Sequence, residues 1–154
     1  MATIGEVLPR LNGQRVYIDA NVFIYFLEKS AVYFPVVAEL LSASAQHQVF
    51  AFTVDAAVAE VMVGIYRQDR PALTAQCKSF FANPQLLSVV RHDAEVFELA
   101  ALMVAKQRFK LIDALHMSTA ISHGCKALIT NDEGMRSIDG LEVIHLQDHV
   151  QGRG

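Results

Sequence analysis

Four acidic residues stand in surroundings that give little reason for a charge. Asp19 closes "VYID", Asp132 closes "LITND", Asp113 opens "DALHMSTA", and Glu60 interrupts the apolar run "VAEVMVGI". Carboxylates gathered in one place repel, by about 3 kcal/mol for two unit charges ~5 Å apart at an effective dielectric near 20. Proteins relieve this by raising a pKa or by binding a cation. Oxygen donors without His or Cys neighbours suit a hard divalent ion, Mg2+ or Mn2+, which takes phosphate oxygens as further ligands.

Each acid also has an ordinary role open to it. Asp19 can cap the helix that follows it. Thr130 and Glu133 around Asp132 have the S/T-x-x-E spacing of a capping box. Asp113 at a helix start is favoured by the helix dipole. Glu60 is the hard case. No Lys or Arg lies one turn away on its helix, and buried glutamates are rare unless paired. An exposed face carrying alanines is the alternative.

Positioning these residues requires elements in order. Short β-branched and aromatic runs predict strands at 15–18, 49–52, 86–90, 126–130 and 141–146. Apolar periodicity predicts helices at 21–28, 34–46, 54–67 and 71–81, the last with Pro71 in its first turn. A long amphipathic helix is expected from about Asp93, and another from Asp113 to a glycine cap at Gly124. Strands alternating with helices argue for a parallel sheet covered on both faces. Ligand sites in such sheets form beyond the carboxyl ends of the strands. Asp19 and Asp132 fall at two of those ends, and Glu60 lies about two turns into the helix after the second strand.

The 154 residues suit one domain with a full core. High apolar and low charged content exclude a disordered chain. No apolar run is long enough to span a bilayer, and the start lacks a secretory pattern, so a soluble cytoplasmic protein with no membrane association is expected. Cys77 and Cys125 fit no metal or redox spacing and are expected as packed, reduced thiols. The net charge of −3 argues against a broad nucleic-acid surface and leaves room for a basic rim around an acidic site.

Taken together, "VYIDANVFIYFLE", "FTVDAAVAEVMVG" and "LIDALHMSTAISHGCKALITNDEGMRSIDGLEVIHL" resemble the ordered motifs of PIN domains, over about 15–146. By size and layout the chain is most similar to the VapC-type toxins of prokaryotic toxin–antitoxin pairs. The resemblance implies a three-layer α/β/α fold with a five-stranded parallel sheet and a Mg2+- or Mn2+-dependent ribonuclease. By motif position, Asp19, Glu60, Asp113 and Asp132 form its acidic site, with Asn21 and Thr130 orienting the acids. Asp19, Asp113 and Asp132 are assigned to the metal, directly or through water, and Glu60 to orienting or deprotonating the attacking water. In-line attack with departure of the 3′ oxygen leaves a 5′-phosphate and a 3′-hydroxyl. An RNA substrate, a small antitoxin and a homodimer are the implied partners. Two features depart from the pattern: an extension, 1–14, before the domain at 15–146, and Ala20 where Thr or Ser is frequent. A tail, 147–154, follows, and its "QGRG" end is expected to fray.

"KQRFK" at 106–110 is the one dense basic cluster, read either as a phosphate-holding rim or as a solvated helix end. His116 and His123, seven apart, lack the spacing of a zinc pair and are read as packed or surface residues. The Phe and Tyr residues suggest core positions rather than a base-stacking platform. Two rival functions remain. An aspartyl phosphatase or receiver-like domain would need D-x-D after the first strand or a late-strand lysine, and "DAN" and "LITNDEG" have neither. A catalytically silent RNA- or protein-binding module of the same fold is the other.

Overall fold

A computed structural model describes residues 4–150. The fraying expected of 151–154 falls outside these residues. Five strands form one parallel sheet in the order β3-β2-β1-β4-β5: β1 Arg15–Ile18, β2 Phe50–Val54, β3 Ser88–Val90, β4 Cys125–Thr130 and β5 Glu142–His145. Every pairing is parallel, with Val16 opposite Ala51 on one side and opposite Ala127 on the other. β1 and β4 are buried apart from Arg15 and Lys126, as strands covered on both faces must be.

The helices are α1 Ile4–Val7, α2 Ala20–Leu27, α3 Phe34–Ala45, α4 Asp55–Arg67, α5 Pro71–Phe81, α6 Ala94–Gln107 and α7 Leu111–Ser122. The chain moves outward through β1, β2 and β3, then returns to β4. Right-handed crossovers place outward and returning helices on opposite faces, giving the three layers. The returning pair, α6 and α7, pack on each other, and α7 lies on β2 and β4. The direction of winding reverses between β1 and β4, and ligand sites of such sheets lie beyond the carboxyl ends at that reversal. Asp19 follows β1 directly, and Asp132 follows β4 by two residues.

Most expected elements match within a residue or two. The third strand is shorter than 86–90 because Asn83 and Pro84 make a turn there. The Asn83 side chain accepts from Gln85 N at 3.0 Å, and its carbonyl accepts from Leu86 N and Leu87 N. Gly124 ends the α7 region with φ +68, as a glycine cap requires. The segment ahead of β1 folds onto the domain. α1 packs on α3, and Ile4, Val7 and Leu11 are buried in the common core. Arg10, in a 3-10 turn over Leu8–Leu11, makes a two-pronged ion pair with Glu142 of β5. After β5 a second 3-10 turn, Leu146–His149, leads to a buried Val150. No described helix is long and apolar enough to cross a membrane.

Candidate active site

Asp19 is the N-cap of α2. Its Oδ1 accepts from Ala20 N at 2.8 Å, and its Oδ2 accepts from the Thr130 hydroxyl at 2.7 Å and from Asn21 Nδ2 at 3.2 Å. The capping carboxylate is therefore also tied to the end of β4. Thr130 Oγ1 also accepts from Asp132 N at 2.9 Å and from Asn21 Nδ2 at 3.2 Å. One donated proton and two lone pairs exhaust the hydroxyl. This fully buried residue ties the end of β4 to the end of β1. Asn21 completes the tie by accepting from Asn131 N at 3.2 Å.

The capping-box alternative for Asp132 is not realised, since no helix follows β4. Two side-chain turns shape the loop instead: Asp132 N on Thr130, and Gly134 N donating to Asp132 Oδ1 at 2.8 Å. His145 Nε2 lies 3.1 Å from the Asp132 carbonyl.

Asp113 is in the first turn of α7, buried, with no capping bond. Burial, then the charge of Asp132 and a hydrogen bond with it, push its carboxyl up to about 6. The two carboxylates thus behave as neighbours that resist carrying two charges.

Glu60 takes the second of the two readings open to it, the exposed face carrying alanines. It is not a buried acid, because α4 presents Ala59, Glu60, Val63 and Gly64 to solvent and the Glu60 side chain is 48% exposed. The helix is not apolar all round once packed: Ala57, Val61, Met62 and Ile65 make its core face. Glu60 nonetheless turns toward the other acids. Its Oε1 lies 3.7 Å from His116 Nε2, and Asp19 Oδ1 lies 4.0 Å from the same nitrogen. Both oxygens being within 4.0 Å of one atom, they are at most twice that apart.

The sequence reading of His116 as a packed or surface residue assigns it no part in the site, and it does not single out Tyr17. His116 is buried, with its Nδ1 2.7 Å from the Tyr17 hydroxyl. Burial alone would depress this imidazole. Glu60, Asp19 and Asp113 more than reverse that, raising it from the ordinary histidine value. The signals were present: His116 follows Asp113 by one helical turn, and Tyr17 precedes Asp19 by two residues on the same side of a strand.

The basic cluster joins α6 to α7. Arg108 adopts the left-handed conformation, Phe109 is buried, and Lys110 is the N-cap of α7, near enough to Asp113 to favour its charged form. Arg136 lies over the Phe109 ring at 3.9 Å. Lys106, Arg108 and Lys110 remain exposed.

The donors suit a hard divalent cation in kind. They are carboxylate oxygens, and the repulsion that raises Asp113 is what a cation would relieve. Among the described residues, however, no three Asp, Glu, His or Cys side chains converge closely enough to enclose an ion as they stand. The acids form two adjoining pairs, Asp19 with Glu60 around His116, and Asp113 with Asp132. Closing them around an ion takes rotation of at least one side chain.

The family model described as PIN domain matches residues 16–141. No curated protein sequence matches the chain. Among solved structures, the chain is similar to VapBC2 from Rickettsia felis bound to a promoter DNA fragment, with TM-score 0.67 and 15% identity over 85% of this chain and 98% of that one. FitAcB from Neisseria gonorrhoeae gives TM-score 0.63 and 18% identity over 86% and 98%. VapC20 from Mycobacterium tuberculosis, a Sarcin-Ricin loop cleaving toxin, gives 0.59 and 10% over 73% and 86%. At these identities the likeness is one of fold.

Proposed function

The chain belongs to the PIN domain family, and from that premise we propose that it is a divalent-metal-dependent endoribonuclease, the toxin of a toxin–antitoxin pair. One observation carries the reading: Asp19 and Glu60 share a buried imidazole while Asp113 is raised to about 6 beside Asp132, all beyond one edge of the sheet. A site built to concentrate carboxylates suits a cation and the phosphodiester that shares it.

Asp19, Asp113 and Asp132 would hold Mg2+ or Mn2+. The bound ion supplies positive charge that acidifies water and draws charge from phosphate oxygens. Thr130 and Asn21 keep the Asp19 carboxylate aimed, since both donate to its Oδ2. Glu60, half in solvent, would orient the attacking water and accept its proton. Exposed Lys106, Arg108 and Lys110 next to α7 would hold backbone phosphates of RNA at the rim. The similar structures from Rickettsia felis and Neisseria gonorrhoeae are a VapBC and a FitAB assembly, which supports a small antitoxin as partner. A homodimer and a cytoplasmic location complete the proposal.

The second reading is a catalytically silent RNA- or protein-binding module. It is favoured by the absence, among the described residues, of three ligands converged on one point. One experiment separates the two. Purified protein is incubated with single-stranded RNA in Mn2+ or Mg2+, then with a chelator, beside Asp19→Asn. Cleavage that stops with chelator and with Asp19→Asn is expected. Cleavage surviving either rejects the metal–carboxylate mechanism, and RNA binding without any cleavage supports the silent module.

A further inference from the structure

Three of the four acids are held by their surroundings. Asp19 accepts from Thr130, Asn21 and Ala20, Asp132 accepts from Gly134 N, and Asp113 is confined by burial. Glu60 has no such support. Its side chain is 48% exposed, and among the described residues its ion-pair contact is to His116. A carboxylate on a solvent-facing helix surface with three side-chain bonds to rotate has no reason to keep one direction unless something holds it.

His116 is built the opposite way. It is 2% exposed, and its Nδ1 is pinned at 2.7 Å by Tyr17, itself fully buried. Tyr17 in turn interacts with Thr53, whose hydroxyl is committed to the Ile18 carbonyl at 2.8 Å. Two carboxylate oxygens face Nε2, and ionised carboxylates only accept. The proton at that end of the ring therefore resides on Nε2. At 3.7 Å the Glu60 contact is longer than a hydrogen bond, a gap that a small rotation of the exposed side chain closes.

We propose that His116 is the positioning residue for Glu60: a buried N–H, locked by Tyr17, that draws the one unsupported carboxylate inward toward Asp19. The inference rests on the ribonuclease reading only for what Glu60 does once positioned, since the holding itself is a property of the protein alone.

The test uses the full chain with 13C-labelled glutamate. Side-chain order of Glu60 is measured by NMR relaxation without metal, in wild type, His116→Gln, His116→Met and Tyr17→Phe. Gln reaches the Nε2 position with an N–H, whereas Met fills the space without one. Glu60 is expected to be more ordered than the exposed Glu95 and Glu98, to lose that order in His116→Met, to keep most of it in His116→Gln, and to be intermediate in Tyr17→Phe. Single-turnover RNA cleavage is read beside it. His116→Met should lower kcat roughly ten- to hundred-fold with KM unchanged, as a misaimed catalytic group does, and His116→Gln should recover it. In a Glu60→Gln background, His116→Met should cost nothing further. Glu60 as mobile in wild type as Glu95, order unchanged in His116→Met, or losses that multiply across the double variant would each overturn the proposal. Should His116→Met not fold, Tyr17→Phe against His116→Gln carries the same comparison. If Glu60 order follows His116 while wild type cleaves no RNA, the positioning stands and the ribonuclease reading falls. Cleavage with Glu60 order indifferent to His116 gives the reverse.

Discussion

Gly134 leaves no room for a side chain beside Asp113. A Cβ built there would lie 2.6 Å from Asp113 Oδ2 and 3.1 Å from Asp132 Oδ1. The glycine is not needed for its backbone, whose φ lies outside the left-handed region, so its use is to let two carboxylates approach the loop. Gly134→Ala should therefore displace the Asp113 carboxylate while the fold persists. The expected result is a melting temperature close to wild type, with Mn2+ affinity by calorimetry reduced roughly tenfold, as misplacing one ligand of a shared site does. Unchanged affinity would show that Asp113 need not occupy its present position.

The Asp113 carboxyl, held near 6 by burial and by Asp132, makes stability depend on pH in a stated direction. Its folded pKa exceeds the ordinary carboxyl value. Between that value and about 6 the folded protein binds more protons than the unfolded chain, and stability falls as pH rises. The His116 imidazole, also raised, continues the fall upward from the ordinary histidine value to its own folded pKa. Urea titrations of metal-free protein should show decreasing stability from pH 4 to pH 7. Asp132→Asn should flatten the part below pH 6. Calorimetry in buffers of different ionisation enthalpy should show proton release on Mn2+ binding at pH 5.5 and less at pH 7.5.

Thr130 is fully buried and engages Asp19, Asn21 and Asp132 through one hydroxyl. Thr130→Val keeps the shape and strands two N–H groups together with the Asp19 oxygen. A loss of about 1–3 kcal/mol is expected by chemical denaturation. Thr130→Ser should stay near wild type in both stability and cleavage. A harmless Thr130→Val beside a destabilised, inactive Thr130→Ser would mean that the methyl contact, not the hydroxyl, is what the site uses.

Leu11 and Ile4 lie ahead of the first strand and are fully buried. Leu11→Ala should cost about 2–5 kcal/mol, the range for truncating a core aliphatic side chain, although it lies outside the stretch matched to the PIN family model. Arg10→Ala should cost far less, since its pair with Glu142 is exposed and such pairs contribute about 1 kcal/mol or less. A Leu11→Ala protein as stable as wild type would make the N-terminal segment an appendage.

By itself the sequence determined the elements, their alternation and hence a parallel sheet, and it marked Asp19 and Asp132 as lying at carboxyl strand ends. These are local properties. Strand runs, turn residues such as Asn83-Pro84 and the Gly124 cap act within a few residues of where they are read. Only the tertiary structure decided that Asp113 and Asp132 share one space, that Glu60 is half exposed on α4, and that His116 lies between it and Asp19. It also decided that residues 4–11 join the core. The reason is physical. Burial and charge coupling act through space between positions far apart in the chain, and a helix that looks apolar all round acquires an inside and an outside only when something packs against it. The Glu60 helix shows this: alanine, valine and glycine are tolerated on either face, so composition alone leaves its orientation open until α2, α5 and β2 cover one side.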